Sequence, residues 1–226
     1  MLCVGVDTST PAGSIALVEQ DRLVAELNVD SAGHHQGRLL KSLDLLLDFA
    51  GADFSKVDLL GVALGPGSFT ALRVGIATVK GLAVARSIPA RGFSTLSALG
   101  WRFRTSRLPV AAMVEAGRGE VYASVVRWQG DEPVSVLSER GEAPERFIGS
   151  VPTGPVIFTG DGSRVHRDLI GRLRGEADLF DSGPFFLGTA LAEMAASRDR
   201  QGAPWSLAHL RPNYIRPPDA ELPRRR

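Results

Sequence analysis

The chain has almost no cysteine: Cys3 is the only one in 226 residues. No disulfide can form within the chain, and no metal site can be built from thiolates. Its place in an apolar run marks Cys3 as a small core residue. Long apolar runs are missing too. None approaches the ~20 residues that span a bilayer. Asp7 interrupts the N-terminal apolar stretch before it could act as a secretory leader. A cytoplasmic location without a membrane partner is therefore expected. Lysine is scarce: of 26 basic residues only Lys41, Lys56 and Lys80 are lysine, which a compositional bias toward Arg and Ala explains most cheaply. The net charge of +1 carries no bulk signal for nucleic acid.

Catalytic signatures are absent as well. The glycine-rich run "GPGSFTALRVG" (65–75) has no Gly-Lys-Ser/Thr, and Thr70 stands where a dinucleotide fingerprint needs its third glycine. There is no G-x-S-x-G. His34 and His35 are adjacent, so they point apart, and Arg38 and Leu39 occupy the positions where a helical metal partner would stand. No catalytic residue and no metal ligand is expected.

What is present is a regular alternation. Strand-like runs at 2–7, 13–18 and 23–29 precede a leucine-rich helix at 35–50 that Gly51 ends. A buried strand at 57–65, a helix at 68–86, a short strand at 88–93 and a helix at 94–103 follow, with Ser68 and Ser94 as N-caps. The polar "RTSRLP" at 104–109 marks a boundary between residues 1–108 and 109–226. The pattern then restarts. "VAAMVEAGRGEVYASVVRW" is again an apolar run, an acid, a glycine turn and an alternating run, and Glu115 takes the place of Asp7. The second half reads as a shorter copy. The expected fold class is α/β: two RNase H-like lobes of the actin-like ATPase (ASKHA) plan, mixed sheets with helices on their faces, and a reduced second lobe.

Two regions could carry function. The hairpin mouth Asp7, Thr8, Ser9 and Thr10, with Glu115 as its echo, could cradle phosphate oxygens and a hydrated Mg²⁺. It reads equally as a polar turn in which Asp and Ser side chains bond the backbone. The second region is helical. Leu39, Leu43 and Leu46 form one stripe, Leu40 and Leu47 another, and Leu45 and Phe49 widen the apolar surface beyond what one sheet face needs. On the next helix Ala71 and Gly75 lie four apart, as do Ala77, Gly81 and Ala85. Each helical glycine costs about 1 kcal/mol relative to alanine, so close packing against another backbone must offset it.

"VDTST", a His-led leucine helix, "GPGSFTALRVGIATVKGLA" and "FSTLSAL" follow one another in order, with "EAGRGEVYAS", "GDG" and "RPNYIR" behind them. In these the chain resembles the TsaB (YeaZ) family, bacterial paralogues of the TsaD threonylcarbamoyltransferase. The resemblance implies a non-catalytic dimerisation subunit for making N6-threonylcarbamoyladenosine at position 37 of tRNA. Such a subunit binds and activates TsaD, helps recruit the TsaE ATPase and also pairs with itself. It reaches tRNA through the complex, which uses ATP and threonylcarbamoyl-AMP, and needs no cofactor of its own. Pairing in that family runs through the first two helices. The corresponding set here is His35, Leu39, Leu43, Leu46, Ser68, Phe69, Ala71, Leu72, Gly75, Thr78, Val79 and Leu82. The chain departs from the family at its second hairpin, which has Glu115, Ala116, Gly117 and Arg118 where Asp-Ala-Arg is usual. The competing expectation is a small nucleotide phosphohydrolase or kinase-like ATPase using Asp7.

Overall fold

The computed structural model describes residues 1–10, 12–30, 38–175 and 178–216. The first half runs β1 (Leu2–Asp7), β2 (Ala12–Glu19), β3 (Arg22–Asp30), α1 (Leu39–Phe49), β4 (Leu59–Gly65), α2 (Phe69–Arg86), β5 (Ala90–Ser94) and α3 (Thr95–Gly100). This is the order the alternation predicts. Ser94 caps α3, its hydroxyl accepting from the N–H groups of Leu96 and Ser97. Ser68 stands at the start of α2 without a side-chain cap; its own N–H donates to Ser9 O at 2.8 Å.

The second half repeats the plan with β6 (Val110–Gly117), β7 (Glu120–Gln129), β8 (Glu132–Glu142), α4 (Pro144–Ser150), β9 (Ile157–Thr159), α5 (Asp161–Val165), α6 (Arg167–Arg174), β10 (Leu179–Phe180) and α7 (Gly188–Arg200). The two sheets have strand orders β3-β2-β1-β4-β5 and β10-β9-β6-β7-β8. Each opens with three antiparallel strands and continues with two parallel ones. β6 thus takes the place of β1, and β7 that of β2, as a duplicated lobe requires. The apolar pattern does not reveal α4, α5, α6 and β10. They have two to eight residues, too short to establish a period.

Burial stacks the elements in layers. Leu43, Leu46 and Leu47 of α1 and Leu72, Ile76, Val79 and Ala83 of α2 close over Val4, Val6, Ile15, Leu17, Leu60 and Val62 on one face of the first sheet. α3 and α7 lie between the two sheets, where Leu96, Leu99, Leu191 and Met194 meet Val110, Val114 and Trp128. Phe147 of α4 and Ile170 of α6 cover the far face of the second sheet. α7 belongs by sequence to the second half, yet Ala192, Ala195 and Ala196 pack on Cys3, Val18 and Leu59 of the first sheet. Leu210 is buried in the first lobe, and Asn213 N donates to Leu64 O at 2.7 Å.

Burial under α7 pushes the Cys3 thiol up to about 12. A thiolate is the reactive form. In the folded protein at pH 8, Cys3 should therefore resist a thiol-reactive dye and label only on unfolding. Fast labelling of the folded protein would mean that α7 lifts from the sheet.

Candidate functional site

The hairpin mouth closes on itself. Asp7, Thr8, Ser9 and Thr10 are all buried. Asp7 Oδ1 accepts from the backbone N–H of Ser9 at 2.7 Å and from its hydroxyl at 2.6 Å. Thr8 Oγ1 donates to Ala71 O, in the first turn of α2, at 2.7 Å. Gly67 and Gly75 permit this approach: a Cβ on Gly67 would stand 2.2 Å from Ser9 O, and one on Gly75 would stand 2.3 Å from Thr8 Oγ1. The hydroxyls of Thr8 and Ser9 are thus committed to protein partners, as in the polar-turn reading.

Asp7 is strained electrostatically rather than sterically. Its Oδ2 is buried and has no hydrogen-bond partner among the described residues. Loss of solvent pushes its carboxyl up to about 6, against the two bonds from Ser9 that lower it. A cavity of about 110 Å³ is lined by Asp7 and Thr8 together with Ser14, Leu27, Arg38 and Leu39.

The second hairpin does not copy this environment. Glu115 is exposed and pairs with His166 Nε2 at 3.0 Å. The desolvated acid of the second lobe is Asp161, in the "GDGS" turn, whose carboxyl is pushed up by burial. Its Oδ1 accepts from Glu115 N at 3.2 Å and Gly162 N at 2.9 Å. The cleft between the lobes, about 210 Å³, is lined by Thr10, Val114, Asp161, Arg164 and Phe185 among others. Of the hairpin-mouth quartet only Thr10 lines it. Asp7 and Glu115 therefore do not converge on that cleft as an acid pair. Among the described residues no group of three His, Cys, Asp or Glu stands close enough to hold a metal ion.

The two helices present a different kind of surface. Several residues of the family-derived pairing set face the wrong way for a partner. Leu43, Leu46, Ala71, Leu72, Gly75 and Val79 are buried in the first lobe, and Leu39 and Leu82 are half-buried against the same core. The close contact that offsets the cost of Gly75 is with Thr8 of this chain. Ser68 is exposed, Phe69 and Thr78 are half-buried, and His35 lies outside the described residues.

The opposite faces are open. Leu40 is 53% exposed, Leu45 41%, Phe49 83% and Val84 65%. Ala77, Gly81 and Ala85, spaced by four, are all exposed, and a Cβ on Gly81 would meet nothing within 4 Å. Thus one small-residue row of α2 packs inward and the other is left bare, with exposed Val84 on the same side of the helix. Exposed apolar side chains on both helices, Leu45 and Phe49 on one side of α1 and Val84 with the small-residue row on α2, are a candidate interaction surface.

The chain is similar to known proteins over most of its length. Residues 29–197 match the family described as TsaD, tRNA N6-adenosine threonylcarbamoyltransferase. The tRNA threonylcarbamoyladenosine biosynthesis protein TsaB of Escherichia coli is 32% identical, over 96% of this chain and 95% of its own. That of Bacillus subtilis is 27% identical, over 98% of this chain and 96% of its own. Among solved structures, YeaZ from Pseudomonas aeruginosa superposes with a TM-score of 0.81 at 29% identity, covering 94% of this chain and 99% of that one. ROK hexokinase from Thermus thermophilus superposes with a TM-score of 0.53 at 11% identity, over 88% of this chain and all of that one. The hexokinase likeness is one of fold alone, and it identifies the two-lobe actin-like ATPase architecture.

Proposed function

The chain belongs to the TsaB family and serves tRNA threonylcarbamoyladenosine biosynthesis, and from that premise we propose that it works there by presenting the outer faces of α1 and α2 to a TsaD-type threonylcarbamoyltransferase. The observation that carries this reading is the bare side of α2, Ala77, Gly81, Ala85 and Val84, together with the exposed Leu45 and Phe49 of α1. Small residues let a partner backbone approach closely, and the large apolar side chains around them supply the buried area.

The chain itself needs no cofactor; ATP and threonylcarbamoyl-AMP are used by the other subunits. The joint surface formed on pairing receives the TsaE ATPase, and tRNA is reached through the assembly. Without the transferase the same face seats a second copy. Against an ATPase centred on Asp7 stand the committed hydroxyls of Thr8 and Ser9 and the position of Asp7 away from the interlobe cleft.

Two substitutions test the face. Phe49→Glu and Gly81→Leu touch nothing in the lobe that the fold needs, so the monomer should melt as the parent does. Each should weaken pairing with the transferase by about a hundredfold, the effect of desolvating a charge or of a clash at the centre of an interface. Modification of tRNA in a reconstituted mixture of the transferase, TsaE and the threonylcarbamoyl-AMP synthase should fall with it. Wild-type pairing by both variants would sink the reading.

A further inference from the structure

Several described arginines around the first lobe have an acid of their own. Arg91 pairs with Asp199, Arg102 with Asp181, and Arg200 with Asp21. Arg73, on the exposed side of α2, has no carboxylate partner among the described residues, yet its side chain is held in place. Its guanidinium lies 3.9 Å from the centroid of the Phe69 ring. Its Nε donates to Tyr214 Oη at 3.0 Å. The rings of Phe69 and Tyr214 stack with centroids 4.9 Å apart at 27°. The cation thus rests on one ring and is oriented by the phenol of the other.

Tyr214 arrives on the C-terminal segment, which is tied to both lobes. Leu210 is buried in the first lobe, and Asn213 donates from its backbone to Leu64 O. Asn213 Nδ2 donates to Glu139 Oε2 at 2.8 Å, and Arg216 pairs with Glu120 at 2.6 Å, both in the second lobe. Tyr214 is nevertheless 39% exposed, so the Arg–Tyr edge is fixed without being covered.

Arg73 also stands in the right row. Residues 73, 77 and 81 succeed one another at intervals of four, one helix face. The bare row of α2 therefore begins at Arg73 and runs on through Ala77 and Gly81. The charged residues of α2 are Arg73, Lys80 and Arg86, with no acid among them. A surface of this sign is matched by an acidic one.

We infer that Arg73, oriented by Phe69 and Tyr214, is a preformed carboxylate-binding arm at the N-terminal end of the pairing face, and that it engages an aspartate or glutamate of the threonylcarbamoyltransferase partner. This rests on the reading that the outer face of α2 binds that partner. The guanidinium fork suits a carboxylate. Holding it before contact spares the ordering cost that a free arginine incurs on binding. Tyrosine and arginine are also the side chains on which interface affinity concentrates.

The test uses the full chain and the transferase from the same organism, with the dissociation constant measured by calorimetry at low and high salt. Arg73→Ala should weaken binding about tenfold at low salt and flatten the salt dependence. Arg73→Lys, which keeps the charge and loses the fork, should recover only part of the affinity. Tyr214→Phe, which keeps the stack and loses the phenol, should weaken binding about threefold. Melting temperatures recorded on each variant separate this from a merely structural triad, which would lower stability and leave affinity and its salt slope alone. Gly81→Leu is measured alongside. If Gly81→Leu weakens binding while Arg73→Ala keeps wild-type affinity, or loses affinity with the salt slope unchanged, the carboxylate arm is overturned and the helical face stands. If Gly81→Leu also binds as wild type, the face and the arm fall together.

Discussion

A single methyl group at Gly61 should cost the protein about 3 kcal/mol, the upper end of what overpacking a core ordinarily costs. Gly61 of β4 and Gly5 of β1 are partners across the parallel pair at the centre of the first sheet. Together they form a strip without side chains, and α7 lies directly on it. A Cβ on Gly61 would stand 2.3 Å from Leu191 O and 2.8 Å from Leu191 C; one on Gly5 would stand 1.9 Å from Gly188 O. The opposing atoms are backbone in both cases, so no rotamer change can relieve the overlap and the helix itself must move. α7 also carries Leu191 and Met194 into the layer between the sheets, so lifting it loosens both lobes at once. In urea, Gly61→Ala should shift the unfolding midpoint of the whole chain sharply downward. The same substitution at Gly81, where a Cβ meets nothing, should raise stability by up to about 1 kcal/mol, because alanine is the better helix former. Midpoints that moved alike in the two variants would show that α7 does not seat on the glycine strip.

The contrast between these glycines explains what could be read in the sequence. The three-strand opening, α1, β4, α2, β5 and α3 were legible because each has a clear apolar period and a capping or turn residue at its end. The duplication was legible because Glu115 repeats Asp7 in kind and place. Direction was not legible. Ala71 with Gly75, and Ala77 with Gly81 and Ala85, have the same spacing, and spacing says that residues share a face without saying which face is inward. Thr8 decides it, by placing its hydroxyl where a Cβ on Gly75 would be. The docking of α7 on the first sheet was hidden for a related reason. A local pattern fixes that a helix forms and leaves open which sheet receives it. The glycines at 5, 61 and 188 were the available signal, since helix and strand backbones can touch only where no side chain stands between them. The environment of Glu115 was lost in the tight turn Gly117–Gly119, where Arg118 also has a positive φ of 58°; there the second hairpin ends in the open and its acid meets His166. The Arg73–Phe69–Tyr214 contact joins residues 141 positions apart, beyond the reach of any local period. Its only trace in the sequence was the absence of acid from α2.

The second large effect is expected at Asp7, and it depends on pH. A carboxylate that folding deprives of water, with no compensating cation among the described residues, makes the native state bind its proton more tightly than the unfolded chain does. The folded value is about 6 against an ordinary 3.8. Above pH 6 the buried charge imposes its full cost on the fold. Between pH 6 and 3.8 that cost shrinks as the native state takes up the proton, and below 3.8 it is gone. A gap of about two pH units corresponds to about 3 kcal/mol. Asp7→Asn leaves an oxygen to accept from Ser9 N and Oγ and replaces the partnerless Oδ2 by a neutral group. Any cost of burying the amide is the same at every pH, so the informative quantity is the stability difference between variant and parent as pH changes. From pH 4 to pH 8 that difference should move by roughly 2 kcal/mol in favour of the variant. A difference that stayed flat would mean that the carboxylate has a cationic partner in solution, and stabilisation of the parent alone by added Mg²⁺ would identify that partner. Without such rescue, the acid of the hairpin mouth is a group that weakens the fold at neutral pH.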